Sequence, residues 1–171
     1  MPTIGVALAI PEPWGGELQA YRVAVGDDSA DQIPTHITLI PPVDVPEEAI
    51  DRLYDHLRAV AAQVSSFMVH LRGTGTFRPV SPVVFVSVAQ GISACELLAD
   101  ALRSGPLAVQ LMFPYHPHVT IAHHLPDAAL DVAFHGLADF ECVFEATAFH
   151  LYLHDQDAGW RPSREFRLAE P

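Results

Sequence analysis

Positive charge is the scarcest resource in this 171-residue chain: nine Lys plus Arg stand against 21 Asp plus Glu, a formal net charge of −12 at pH 7. Gripping long nucleic acid depends on neutralising many phosphates with cationic side chains, so binding through a basic patch is excluded. Cysteine is nearly as rare. Cys95 and Cys142 sit among apolar neighbours without the close second thiol of a zinc site, which argues against a disulfide framework and for two buried free thiols. No apolar run approaches the roughly 20 residues that span a bilayer, and no basic segment precedes the apolar start. A cytoplasmic protein with no membrane partner is the expectation.

What the chain does have is apolar content, half of its residues, enough to bury a substantial interior in one domain over residues 1–171. Residues 3–10 read as a buried strand closed by Pro11 and Pro13, and residues 14–25 as an ambiguous stretch, a short helix at most. Pro34 introduces the strand Thr-His-Ile-Thr-Leu-Ile, which Pro41 and Pro42 stop. A long amphipathic helix follows Pro46, with Ile50, Leu53, Tyr54, Leu57, Val60, Ala61 and Val64 at helical spacing and His56 on its exposed side. Strands over 67–77 and 83–88 form an antiparallel pair, a helix covers 93–103, a β-like segment covers 107–112, and a last helix starts near Pro126 with Leu130, Phe134 and Leu137 inward. Strand alternation then fills 140–153 and 164–168 around the loop 154–162.

One pattern occurs twice at long range: Pro34-Thr-His36-Ile-Thr38-Leu and Pro117-His118-Val-Thr120-Ile, each a proline-led strand with a helix soon after. On a strand, His-x-Thr sets an imidazole and a hydroxyl on one face about 6–7 Å apart, within reach of one small anion. A single copy in a chain with ten histidines is unremarkable strand packing. Two copies, one in each half, can place histidines on opposite sides of one phosphorus. In-line displacement needs a base behind the entering oxygen and an acid at the leaving one, and a side chain with a pKa near about 6.5 serves either role.

On these tetrads the sequence resembles the two-histidine (2H) phosphoesterase superfamily, which includes bacterial 2′-5′ RNA ligases and 2′,3′-cyclic phosphodiesterases. Further likeness runs through Phe77, the stretch from Pro82 to Val88, the stretch from Phe149 to Leu153, Gly159-Trp160 and Phe166. The resemblance implies an α+β fold of two lobes: two antiparallel β-sheets with flanking helices, related by a pseudo-twofold around a central cleft, each lobe contributing one His-x-Thr motif. It also implies a chemistry that needs no metal or cofactor, with His36 and His118 as the acid–base pair and Thr38 and Thr120 as phosphate donors. Arg78 and Arg161 are the candidate cations of the substrate pocket, and Tyr115 and Trp160 the candidate platforms for a base. The expected partner is a small cyclic nucleotide or a short RNA end, bound by a monomer. Two rivals stay open: a module that binds such a nucleotide without turning it over, and a metal site built from His116, His123 and His124 beside His118.

Overall fold

The computed structural model describes residues 1–106 and 109–171. Its elements in chain order are β1 (Thr3–Ala9), α1 (Trp14–Ala24), β2 (His36–Asp44), α2 (Ile50–Gln63), β3 (Phe67–Thr76), β4 (Val83–Gln90), α3 (Ile92–Arg103), β5 (His118–His123), α4 (Asp127–Gly136), β6 (Glu141–Ala146), β7 (Ala148–Asp155) and β8 (Gly159–Arg167). They form two four-stranded antiparallel sheets, ordered β2-β1-β7-β8 and β5-β4-β3-β6. Each tetrad strand is the edge of its sheet, and each is reached from its neighbour through one helix, β1-α1-β2 and β4-α3-β5. The fold is therefore α+β with the two-lobed internal symmetry that the repeated tetrad implies.

Burial explains why these segments take these forms. In α2 the buried Leu53, Leu57, Val60 and Ala61 recur at helical spacing and lie on the core, while charged residues fill the other side. The core is continuous beneath both sheets and both tetrads, and includes Ile4, Leu8, Leu98 and Phe149, each fully buried. Phe149 stacks on Phe166 with ring centroids 5.2 Å apart. Cys95 and Cys142 are buried free thiols. Burial pushes Cys95 up to about 12 and Cys142 up to about 11, so neither is a nucleophile near neutrality. Among the described residues no helix is long and apolar enough to cross a membrane.

Four expectations are corrected. Pro41 and Pro42 do not stop their strand, because β2 is a sheet edge with two register irregularities against β1, and a proline costs no ladder bond where its nitrogen faces away from the neighbour. The β-like segment fails: 109–112 carry no strand, and Leu107 and Ala108 lie outside the described residues. The loop at 154–162 ends early, since β8 begins at Gly159 and takes Trp160 and Arg161 into the sheet. His56 is half-buried, with Nε2 donating to the carbonyls of Ala101 and Leu102 at the end of α3 (3.1 and 3.2 Å).

Candidate active site

The two tetrad strands share one burial pattern. His36 and Thr38 of β2 keep an open face while Ile37, Leu39 and Ile40 are buried; His118 and Thr120 of β5 do the same over Val119, Ile121 and Ala122. Two buried residues in succession mark a β-bulge in each strand. Ala7 pairs with Thr38 but Val6 with Ile40, and Phe85 pairs with Thr120 but Val84 with Ala122, so Leu39 and Ile121 are the extra residues. β2 and β5 then pack against one another, which brings the two edges and their histidines to one cleft.

Both imidazoles are held the same way. His36 Nδ1 donates to the Pro34 carbonyl at 2.7 Å, and His118 Nδ1 donates to the His116 carbonyl at 2.6 Å. A carbonyl only accepts, so Nδ1 carries the proton and Nε2 holds the lone pair of the neutral ring. At His36 that nitrogen lies 3.1 Å from Thr38 Oγ1, whose hydroxyl donates to it. Burial lowers both histidines. His36 is pushed down to about 4, its bond to Pro34 opposing and the charges of Arg22 and His118 adding to the fall; for His118 the carbonyl of His116 opposes and the ring of His116 adds.

A consequence for stability follows from the sign. His36 binds a proton in the unfolded chain below about 6.5 but in the fold only near 4. The stability that neutral His36 contributes is therefore complete above about pH 6.5 and is lost as pH falls from there towards 4. Denaturant midpoints measured at pH 7 and pH 5 should show this loss, and His36→Gln should lessen it; an equal pH dependence in the variant would contradict the assignment.

The floors of the two lobes differ. Beside His36 and Thr38 the sheet presents Gly5 and Ala7, and the resulting pocket is closed by Ile33, Pro42, Tyr152 and Trp160. Beside His118 the matching row carries Phe85, which packs on Phe77 (4.5 Å between centroids), and both rings flank the His118 imidazole at 5.3 and 4.9 Å. Open space thus lies on the His36 side. Trp160 reaches that pocket because Gly159, at φ +75°, turns the chain against Gln32, whose carbonyl accepts the backbone N–H of Trp160 at 2.7 Å. A Cβ at Gly159 would meet the Gln32 backbone. Gly159→Ala should cost at least about 1–2 kcal/mol in a thermal melt; an unchanged melting temperature would show that this turn does not set the pocket wall.

The sequence profile of the 2′-5′ RNA ligase superfamily matches residues 10–158. The chain belongs to that superfamily. Among curated relatives it is 29% identical to a candidate phosphoesterase of Bacillus cytotoxicus over 140 residues, 81% of each chain, and 31% identical to one of Geobacillus kaustophilus over 130 residues, 75% of each. Among solved structures it is similar to Escherichia coli LigT complexed with 3′-AMP, with TM-score 0.70, 20% identity, and coverage of 99% of this chain and 100% of that one. A Thermus thermophilus protein matches with TM-score 0.71 and 21% identity, covering 99% of both chains. LigT is also solved with ATP and with NADP+.

As a 2H phosphoesterase, the protein brings together five of the eight site residues read from sequence: the four tetrad residues and Trp160. Arg78 and Arg161 lie elsewhere, and Tyr115 meets the first tetrad only through its backbone. Arg78 is held by Asp131 at 2.9 Å and Asp127 at 3.7 Å on α4, and by Thr76, in a hollow distinct from the His36 pocket. Arg161 is exposed on β8 near Asp155. Tyr115 is no free platform, because its hydroxyl donates to the Thr38 carbonyl at 2.7 Å and the Arg103 guanidinium covers its ring at 5.1 Å. Sequence reasoning missed Arg22, a cation only 3% exposed whose charge reaches His36 and His123. Its mark was there: Arg22 follows the buried Leu18 by one helical turn, on a face that should have been apolar. Three or more His, Cys, Asp or Glu side chains placed to hold a metal ion are not found among the described residues. The ring centroids of His116 and His118 lie 6.1 Å apart, and those of His123 and His124 lie 3.7 Å apart with the rings tilted by 49°.

Proposed function

We propose that this phosphoesterase hydrolyses 2′,3′-cyclic phosphates of nucleotides or short RNA ends in the cytoplasm by two-histidine general acid–base catalysis without a metal. The observation that carries the reading is the pair of tetrads on facing sheet edges, each histidine pinned through Nδ1 so that Nε2 serves for proton transfer, at His36 once the Thr38 hydroxyl that donates to it turns to the phosphate. One neutral histidine takes a proton from water as its oxygen attacks phosphorus. The bond from phosphorus to a ribose oxygen breaks, and the other histidine, protonated, delivers its proton to that oxygen. The product is a nucleoside monophosphate. Thr38 and Thr120 donate hydroxyls to the non-bridging oxygens, whose charge rises in the transition state, and Trp160 forms a wall of the pocket on the nucleoside side. A ribose hydroxyl in place of water turns the same steps into 2′-5′ ligation, with the acidic surface restricting the RNA to short ends.

The test is to incubate metal-free protein with 2′,3′-cyclic nucleotides in chelator and identify the product. Conversion to a 2′- or 3′-monophosphate is the expected result. Saturable binding without product would make the protein a recognition module, and turnover abolished by chelator would make it a metalloenzyme.

Because both histidines are depressed, the free enzyme at pH 7 is mostly the doubly neutral form, whereas turnover needs one of the pair protonated. The profile of kcat/KM should be bell-shaped, with its maximum on the acid side of about pH 6.5 and limbs belonging to the pair. A maximum above neutrality would contradict the depression of the two histidines by burial.

A further inference from the structure

The first tetrad is the outer edge of its sheet, and a sheet edge leaves backbone carbonyls without strand partners. Two of them find partners in the opposite lobe. Tyr115, three residues before His118, donates its hydroxyl to the Thr38 carbonyl at 2.7 Å, and Arg103, in the last turn of α3, donates Nη1 to the Leu39 carbonyl at 3.4 Å. The donors are themselves joined, with the Arg103 guanidinium over the Tyr115 ring. In a regular strand successive carbonyls point opposite ways. Leu39 is the bulged residue, which lets the tetrad offer two neighbouring carbonyls to the same partner lobe.

We propose that Tyr115 and Arg103 are positioning residues: they form a clamp that takes hold of the first tetrad strand and so fixes the separation of His36 and His118 across the cleft. The clamp acts on the backbone of Thr38 and Leu39, between the two ends of a path that runs from His36 through β2 to Tyr115 and on to His118. It is one-sided. Ile33, three residues before His36 as Tyr115 is before His118, has no hydroxyl and lines the pocket instead. The arginine in the last turn of α1, Arg22, is held by Asp27 and Ser29 rather than by the facing strand. The registration of the two histidines therefore depends on Tyr115 and Arg103, and among the described residues the other lobe holds no matching pair.

Tyr115→Phe keeps the ring and deletes the donor. The kinetic arm rests on the two-histidine reading; the spectroscopic arm needs no substrate. In that arm, the ring resonances of His36 and His118 are titrated by NMR with and without His118→Ala, which measures how strongly protonating one ring disfavours protonating the other. In the kinetic arm, kcat and KM for a 2′,3′-cyclic nucleotide are compared with wild type. The expected results are a smaller mutual shift in Tyr115→Phe and a fall in kcat of about tenfold with KM little changed, since misplacement by a fraction of an ångström acts on the chemical step. A phenylalanine variant that matches wild type in both would overturn the clamp. If the wild type turns over no cyclic nucleotide, the functional reading falls while the titrations still decide the clamp. Should Tyr115→Phe fail to fold, Arg103→Leu carries the same two measurements with the same expected direction, and wild-type behaviour there would overturn it equally.

Discussion

His36→Ala and His118→Ala should each lower kcat/KM for a 2′,3′-cyclic nucleotide by about 10²–10⁴-fold, the range general acid–base catalysis contributes, while leaving the fold intact. Both side chains are half-buried on the cleft face of their strands and lie outside the core, so truncating them opens no hole in it. The magnitudes should also fail to add. Once either proton-transfer partner is gone the concerted displacement is lost, so the double variant should be little slower than the worse single one. Thr38→Val and Thr120→Val should cost less, because on the proposed reading each removes one of two hydroxyl donors to the phosphate and leaves both proton-transfer groups in place. Loss of activity that multiplied fully across the two histidines would mean that they work independently, against a concerted displacement. Steady-state rates of wild type, the two single variants and the double variant, with a thermal melt of each, supply the measurement.

Asp27→Ala should produce the largest loss of stability expected of any change near the cleft. Arg22 and Asp27 are 3% and 5% exposed, and the guanidinium reaches one carboxylate oxygen through Nε at 3.2 Å and Nη2 at 3.0 Å while the Ser29 hydroxyl bonds the other at 2.7 Å. Removing the carboxylate leaves a buried cation unpaired, which costs about 3–5 kcal/mol. Removing both charges at once is different in kind: Arg22→Met with Asp27→Leu should recover most of the loss, because the desolvation cost of both ions disappears with them. Burial alone would raise the Asp27 carboxyl, but Ser29 and Arg22 outweigh it and hold it below the usual carboxylate range. A folded value below the unfolded value of about 3.9 means that this contribution is complete above that pH and is lost as pH falls through the folded value. Wild type and Asp27→Ala should thus differ most in urea midpoint at pH 7 and converge in strong acid. A loss at pH 7 below about 1 kcal/mol would show that water reaches Arg22 after all.

The tetrads were legible because period-two alternation and two proline-led repeats survive in one dimension. Even the bulges left a trace, in the paired apolar residues Leu39-Ile40 and Ile121-Ala122 after each threonine. What sequence reading missed depends on three-dimensional neighbours. Pro41 and Pro42 look like a stop until β2 is known to be an edge. Trp160 and Arg161 look like loop until Gly159 is seen to turn the chain into β8. Arg78 looks like a free cation until α4 brings Asp127 and Asp131 to it. Tyr115 looks like a stacking platform until its hydroxyl is found on the backbone of the other tetrad.

The central claim is that one histidine supplies a base and the other an acid to the same phosphorus, and a change of leaving group tests it most directly. A 2′,3′-cyclic nucleotide expels a ribose alkoxide that needs a proton, whereas a 4-nitrophenyl phosphodiester expels a phenolate that does not. With both substrates offered to His36→Ala and His118→Ala, one variant should recover to within about tenfold of wild type on the aryl ester while the other stays slow on both. Equal losses in both variants on both substrates, or no loss in either, would contradict the division of roles between His36 and His118.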